Sequence, residues 1–443
     1  MSAAAIILAA GLGTRMRSAQ PKATHQIAGR SMLGHLIAAC EGIFDRIVVV
    51  VGPDMPQLEK IAAPHPTVVQ VERLGTAHAT RYAEPLLAGF EGDAAVLYAD
   101  NPLISKETLQ RLRAAREKGA GLALLAMRPA DPAKYGRVLQ DGTGAITRIV
   151  EWAEASEQER EVGLCNAGVL SAPAKDLFRW LAAVKNENSK GEYYLGDVIP
   201  MAVAEGVRCE AVEAPETELR GINSRAELAA AEADMQARLR AAAMANGATL
   251  IQPESVIFSH DTVTGQDVTI GPNVVFGPGV TIEDGAEIRA FSHLEGCTVR
   301  RDAIIGPFAR LRPGADVGQG AHVGNFVEIK NAVLGEGAKA NHLTYIGDAS
   351  VGARSNIGAG TITCNYDGIS KHRTEIGADV FVGSNSILVA PVSLGDKSMT
   401  AAGSTITRNV APEALAFGRV RQNELPGAAT MFRARAKAKK EKG

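Results

Sequence analysis

Two folds follow one another in this sequence: an α/β domain around a mostly parallel sheet, then a parallel β-helix of hexapeptide repeats. Three observations predict them. The first half alternates short apolar runs with amphipathic stretches, the second half repeats an aliphatic residue at every sixth position, and an uninterrupted Ala-rich segment separates the two. At 443 residues the chain also exceeds one ordinary core, so two domains are expected on size alone.

In the first half, apolar strand-like runs at 5–8, 47–51, 68–71, 94–98 and 122–127 alternate with amphipathic stretches at 32–41, 76–88 and 106–118. That alternation implies βαβ units and a Rossmann-like, mostly parallel sheet. The opening apolar run, residues 3–10, is short and no basic residue precedes it, so it reads as a buried strand rather than a signal peptide. The segment 224–246 lacks Gly and Pro. Ser224 and Glu227 have capping-box spacing and Gly247 stands where a helix would stop, so one joining helix is expected. The expected division is 1–226 for the α/β domain, 227–246 for the linker helix and 247–443 for the β-helix.

From about Val263 the period becomes six. Ile270, Phe276, Ile282, Ile288 and Leu294 keep that phase, as do Ile305, Leu311, Val317, Val323 and Ile329, and again Ile376, Val382, Leu388 and Leu394. Each short strand of a hexapeptide β-helix contributes one inward aliphatic, and three hexads close one triangular coil of about 18 residues. An irregular β-sandwich demands no such phase. The phase breaks between Thr363 and Ile376, which marks a loop leaving the coil. A basic run at 433–442 reads as a loosely helical terminus.

Composition narrows the partners. Lys+Arg 47 against Asp+Glu 49 leaves a net charge of −2, which is no electrostatic footprint for nucleic acid or an anionic membrane. Any bound anion must therefore be held by a local site. The cysteines (Cys40, Cys165, Cys209, Cys297, Cys364) never form a CxxC pair, which argues against a disulfide framework or thiolate metal site and fits a reducing compartment. No apolar run is long enough to span a bilayer. A cytoplasmic protein without membrane insertion is expected.

The first predicted strand runs into Gly11-Leu12-Gly13-Thr14-Arg15-Met16, with Pro21-Lys22 after it. Two glycines let backbone N–H groups close on phosphate oxygens, and Arg15 and Lys22 add positive charge. Met16 stands where a dinucleotide fingerprint wants a third Gly, which disfavours a hydride-transferring enzyme. A tight turn with surface basics would use the same residues. Asp100 ends another apolar strand, so it faces the same crevice and could bind Mg²⁺, or it could equally be a cap or loop residue.

With Gln70, Leu74-Gly75-Thr76-Ala77-His78-Ala79, Tyr135-Gly136-Arg137, Gly191-Glu192-Tyr193-Tyr194 and the hexads, the chain resembles the bacterial bifunctional N-acetylglucosamine-1-phosphate uridylyltransferase/glucosamine-1-phosphate N-acetyltransferases. The resemblance covers nearly all of the sequence. It implies a nucleotidyltransferase domain, a left-handed β-helix, acetyl-CoA and UTP as co-substrates, Mg²⁺, and a UDP-N-acetylglucosamine product that supplies peptidoglycan and lipopolysaccharide. It further implies that Leu8, Ala9, Ala10, Gly11, Gln70, Gly75, Thr76, Tyr98, Ala99 and Asp100 line the nucleotide site, with Arg15 and Lys22 on the phosphates. Gly136, Glu151, Asn166 and Asn223 would continue it around the sugar, Asp100 and Asn223 holding the metal. Leu12, Ala99 and Asn101 depart from the usual Lys, Gly and apolar residue, and the Ala99 Cβ could crowd the ligand.

The hexads point to a second site. Arg312 follows Leu311 and Lys330 follows Ile329, one coil later, where Gly is usual. A regular coil stacks them about 4.8 Å apart, a repulsive arrangement that a bound anion would reverse, unless both splay into solvent. His342 follows shortly and has the chemistry of a general base for an amine, although a lone His is often structural. The resemblance implies that His342 deprotonates the sugar amine and that Arg312, Lys330, Tyr345 and Asn356 grip the sugar phosphate. It places Asn365 and Tyr366 by the acetyl group and Ala359, Ser384, Ala402 and Arg419 on acetyl-CoA, within a homotrimer. Cys364 need not act, because the amine attacks the thioester directly. Two rivals stay in view: a nucleotidyltransferase whose β-helix only oligomerises or regulates, and a non-enzymatic β-helical scaffold with a degenerate nucleotide domain.

Overall fold

The structure is a computed structural model that describes residues 1–133, 135–188 and 191–441. It divides into two compact units, Met1–Leu239 and Arg240–Gly443.

The first unit is built on one twisted sheet. Its path runs Cys209–Glu213, Leu122–Met127, Cys165–Pro173, Asp93–Tyr98, Ala3–Leu8, Arg46–Val51, Thr67–Val69. All neighbours are parallel except Cys165–Pro173, which runs antiparallel to both strands beside it. Continuous apolar strands such as Ala3–Leu8 suit a sheet covered on both faces. Alternate residues divide accordingly: Ile7 and Leu97 join Leu36 and Leu109 in one core, while Ile6 and Val96 join Leu177 and Ile199 in the other. The stretch expected as one helix at 76–88 is two pieces, Thr76–Arg81 and a 3₁₀ turn Glu84–Leu87. Pro85, which lacks an N–H, falls in the second piece and cannot continue the α ladder. Leu8 is in register with Tyr98, so the chain leaving each strand arrives at one edge of the sheet.

The predicted joining helix runs Arg225–Ala245. Ser224 Oγ accepts the Glu227 N–H at 3.3 Å, but the Glu227 carboxylate reaches back to the Asn223 N–H at 2.6 Å instead of completing the box at Ser224. Gly247 ends it with φ +100°.

In the second unit, two-residue strands of successive coils pair in parallel along three faces. One face passes through Thr269–Ile270, a second through Val275–Phe276, a third through Thr281–Ile282. Ile270, Phe276, Ile282, Ile288, Leu294 and the later hexad residues are buried within. The coil begins before the six-residue period becomes visible at Val263, since Thr249–Leu250 already pairs with Thr269–Ile270. Its corners are turned by residues with positive φ, among them Asp267, Asn273, Phe291, Asp302 and Phe308. Gly271 is needed because a Cβ there would lie 2.7 Å from the backbone nitrogen of Ala290 in the next coil. The basic run forms an exposed helix, Ala428–Lys440, whereas Lys442 lies outside the described residues. Among the described residues, no helix is long and apolar enough to cross a membrane.

Candidate functional site

A cleft opens at the carboxyl edge of the first sheet. Leu8, Ala9, Ala10, Gly11, Lys22, Gln70, Gly75, Thr76, Tyr98, Ala99 and Asp100 all line it, together with Ala23, Arg73, Ala79 and Glu192. The Gly loop supplies space as well as backbone: a Cβ on Gly11 would meet nothing within 4 Å, whereas one on Gly13 would lie 2.6 Å from the Lys22 Cβ. Gly13, at φ +63°, therefore lets the Lys22 stem pass beneath the turn. The Lys22 ammonium donates to Asp100 Oδ2 at 2.6 Å and to Asn223 Oδ1 at 3.0 Å. Asp100 and Asn223, 123 positions apart in sequence, thus meet at one cation.

Opposite, Gly75 has φ +112° and abuts the backbone of Tyr193, which a Cβ would strike at 2.5 Å. Thr76 Oγ1 accepts the Leu195 N–H, and Gln70 is buried with its amide 3.2 Å from His78 Nδ1. Burial pushes the Tyr98 hydroxyl well above its ordinary range. Ala99 is buried in the wall, its N–H bonded to the Leu8 carbonyl. Asn101 is buried as well and donates to the Leu219 carbonyl at 2.6 Å, which satisfies a polar side chain at a position where the resemblance leads one to expect an apolar residue. Arg15 is exposed in the turn Thr14–Met16 and does not line the cleft. Arg73, not foreseen from the motifs, donates from Nε to the Ala10 carbonyl at 2.7 Å.

Gly136, Glu151 and Asn166 form a second cluster. The Asn166 N–H donates to the Gly136 carbonyl at 2.8 Å, and a Cβ on Gly136 would lie 3.2 Å from Glu151 Oε1. The cluster is tied to the cleft through Gly168, whose backbone packs on the Tyr98 ring so closely that a Cβ would sit 2.9 Å away.

On the β-helix, Leu311 is in register with Ile329, and the Arg312 N–H donates to the Ile329 carbonyl, so Arg312 and Lys330 do stack in adjacent coils. Their side chains do not simply splay. Arg312 pairs with Glu328 at 2.8 Å, while the neighbouring Lys371 amine, with burial and Arg312, holds the Lys330 pKa below the usual lysine range. Lys371 comes from the loop that leaves the coil, which is why the hexad phase gave no sign of it. Tyr345 lies in register with Glu328, and its ring folds over Gly347, the residue paired with Lys330.

Around the corner, His342 Nδ1 is 2.9 Å from Asn325 Oδ1. With Asn325 Oδ1 as the acceptor, the neutral ring carries its proton on Nδ1 and leaves Nε2 free to accept. From His342 a backbone ladder climbs the same corner: Gly360 N–H to the His342 carbonyl, Asn385 N–H to Ala359, Gly403 N–H to Ser384. Ala402 adjoins Gly403, and the Arg419 side chain approaches within 3.9 Å of where a Gly403 Cβ would stand. Asn356 sits three residues before Ala359 on the preceding face, paired with Lys339. Asn365 is buried and bonded to Asp348, whereas Tyr366 is exposed and turns its hydroxyl to the Gly368 carbonyl. One chain therefore assembles a cationic face and a histidine corner; Tyr366 bridges Lys371 through the backbone of the departing loop, and Asn356 stays paired with Lys339.

The MobA-like NTP transferase domain family matches residues 5–183, the bacterial transferase hexapeptide family residues 261–296, and the hexapeptide repeat of succinyl-transferase residues 373–408. Similar proteins include the bifunctional protein GlmU of Gluconacetobacter diazotrophicus, 62% identical over 100% of this chain and 96% of that one. That of Granulibacter bethesdensis is 63% identical over 98% and 96%, and that of Acidiphilium cryptum 59% over 97% and 98%. The chain belongs to the bifunctional GlmU family, and is an enzyme of UDP-N-acetylglucosamine synthesis with a nucleotidyltransferase unit followed by a left-handed β-helical acetyltransferase unit.

Proposed function

We propose that the β-helical unit acetylates glucosamine-1-phosphate with acetyl-CoA, and that the first unit then joins the product to UMP from UTP. The observation that carries this reading is the convergence of Lys22, Asp100 and Asn223 beneath the open Gly loop. A cation, a carboxylate and backbone donors at strand ends suit phosphoryl chemistry. The sugar phosphate oxygen attacks the α-phosphorus of UTP and pyrophosphate leaves. Lys22 takes phosphate charge, Arg15 could add to it only by swinging in from its exposed turn, Gln70 and Gly75 face the uridine, and Gly136, Glu151 and Asn166 receive the sugar. The side chains of this site all lie within 1–226, those of the other within 247–443, with the linker 227–246 between them in sequence.

The residues present fit Mg²⁺. A carboxylate and an amide oxygen are hard donors, they already share one cationic nitrogen, and one or two protein oxygens are the usual protein share of a Mg²⁺ site. Asp100 and Asn223 would hold the ion, which when bound neutralises phosphate charge. Lys22, released from them, turns to the phosphates.

In the second unit, His342 Nε2 takes a proton from the sugar amine as the amine attacks the thioester carbonyl, and CoA leaves as the thiol. Arg312, Lys330 and Tyr345, with Lys371, hold the sugar phosphate. The ladder of Ala359, Ser384 and Ala402 receives acetyl-CoA, with Arg419 at its end. A homotrimer would bring Asn356, Asn365 and Tyr366 of neighbouring copies to the same site. The protein works in the cytoplasm, without nucleic-acid or membrane partners.

Product analysis tests the scheme, with glucosamine-1-phosphate, acetyl-CoA and UTP supplied separately and together. Acetylated sugar phosphate should form without UTP, and the UDP-sugar only when all three are present. UDP-glucosamine formed without acetyl-CoA would overturn the order of steps.

A further inference from the structure

We propose that Arg137 is a positioning residue for sugar recognition in nucleotidyl transfer, acting through Gly136, Glu151 and Asn166. The inference deepens the sugar-site reading above and rests on it. Arg137 is 1% exposed, and among the described residues no carboxylate pairs with it. A buried guanidinium without a counter-charge is costly unless its donors are met by fixed dipoles. Here they are. Nε donates to the Arg160 carbonyl at 3.2 Å, and Nη1 donates to the carbonyls of Tyr135 at 2.6 Å and Pro132 at 3.3 Å. Nη1 also lies 3.6 Å from the Cys165 sulfur.

The Trp152 ring completes the cage. The Arg137 guanidinium carbon is 5.0 Å from its centroid and that of Arg160 is 4.6 Å away. Arg160 in turn donates from Nε and Nη2 to the Trp152 carbonyl at 3.3 and 3.2 Å. One buried cation thereby gathers three stretches of chain: Pro132 and Tyr135 just before the antiparallel pair Arg137–Gln140 and Ile146–Val150, the segment with Trp152 and Arg160 after it, and the start of strand Cys165–Pro173. Each stretch carries, next to a residue that Arg137 touches, one residue of the sugar cluster. Gly136 follows Tyr135, Glu151 precedes Trp152, and Asn166 follows Cys165. A lysine could not replace this arrangement, since one ammonium cannot reach the same carbonyls with the fixed fork of a guanidinium.

The test is steady-state kinetics of UDP-N-acetylglucosamine formation by the full chain and its Arg137→Lys, Arg137→Met and Trp152→Leu variants, varying each substrate in turn. KM for N-acetylglucosamine-1-phosphate should rise about tenfold or more while KM for UTP stays within about twofold, because only the sugar end is displaced. Trp152→Leu should shift the same constant by less, and acetyl transfer should be unchanged throughout. Equal rises in both KM values, a fall in kcat alone, or unaltered kinetics would overturn the role. Glu151→Gln and Asn166→Ala, run in parallel, separate the two readings. If they leave the sugar KM untouched, the sugar site itself is misplaced; if they raise it and the Arg137 variants do not, only the positioning role fails. Should thermal unfolding show that the Arg137 variants lose their first unit, Trp152→Leu decides, and an unshifted sugar KM there refutes the proposal.

Discussion

Lys22 is bonded on two sides, by the Asp100 carboxylate and the Asn223 amide, and its stem is steered by the absence of a Cβ at Gly13. Two substitutions separate these effects. Asp100→Asn removes the carboxylate that Lys22 holds, where the proposed Mg²⁺ and phosphates would meet. Uridylyl transfer should fall about a hundredfold or more, acetyl transfer by the same preparation should not change, and the dependence on Mg²⁺ should weaken. Unaltered uridylyl transfer at limiting Mg²⁺ would return Asp100 to a capping role. Gly13→Ala adds a methyl 2.6 Å from the Lys22 Cβ in a left-handed conformation, so the lysine must move. KM for UTP should rise, with thermal stability lowered by about 1 kcal/mol; an unchanged KM would show that the stem has room. Most of this cleft was legible in the sequence because the Gly loop and Asp100 end strands whose apolar runs are unmistakable. Arg73 was not. It reaches the Ala10 carbonyl because strands Ala3–Leu8, Arg46–Val51 and Thr67–Val69 lie side by side in that order, a tertiary fact that no spacing encodes.

The β-helix shows how an element exposes some of its chemistry to sequence and hides the rest. Inward positions such as Leu311 and Ile329 advertise themselves, since each must fill the same slot in the next coil. The five-residue steps do not. Thr269 pairs with Glu287, eighteen residues on, but Thr281 pairs with Thr298, seventeen on, so a strict six-residue period loses phase between its runs. Strand Cys165–Pro173 was hidden for another reason. Asn166 and Gly168 interrupt it with a bulge, and a polar break in an antiparallel strand leaves no clean alternation. On the cationic face, Lys371 and Arg312 hold the Lys330 pKa below its ordinary value. The folded chain then binds that proton more weakly than the unfolded chain. The repulsion is therefore fully felt below the depressed folded pKa and disappears as pH rises toward the ordinary lysine value. Lys371→Met should raise the thermal midpoint of the empty protein at neutral pH and flatten its gain on the alkaline side. The same change, like Lys330→Ala or Arg312→Ala, should weaken glucosamine-1-phosphate binding about ten- to a hundredfold, the scale of one charge-assisted hydrogen bond. Arg312→Ala should bring no gain in stability, because it strands Glu328 without its partner. His342→Ala should instead lower turnover with little effect on affinity, and calorimetry alongside rates distinguishes the two behaviours. An affinity loss matching that of the charge variants would make His342 a binding residue.

At the scale of the whole molecule, the joining helix belongs to both units in turn. Leu228, Ala231, Met235 and Leu239 pack with Ile27, Met32, Leu103 and Ile222, and Glu232 accepts the Ala28 N–H at 2.7 Å. One residue later, Arg240 donates to the carbonyls of Glu254 and Val256, and Asn246 donates to the Thr264 carbonyl. The Ala-rich composition announced a helix, but not this division of labour, because alanines spread around the helix blur the stripe of Leu228, Met235 and Leu239, and the second contact set uses the polar Arg240 and Asn246. The division decides where the chain can be cut. A fragment ending at residue 226 would strip the cover from Ile27, Met32, Leu103 and Ile222, several fully buried side chains whose exposure costs about 1.5–3 kcal/mol each. A fragment ending at Leu239 keeps that cover, and one beginning at Arg240 keeps its bonds to the first coil. Fragments 1–239 and 240–443 should therefore each fold and retain one activity, uridylyl transfer with N-acetylglucosamine-1-phosphate and acetyl transfer respectively. Fragment 1–226 should melt well below 1–239 or aggregate. The measurement is thermal unfolding beside both assays. Equal melting of 1–226 and 1–239 would show that the helix only tethers, and folded but inactive 1–239 would mean that the first site needs the second unit.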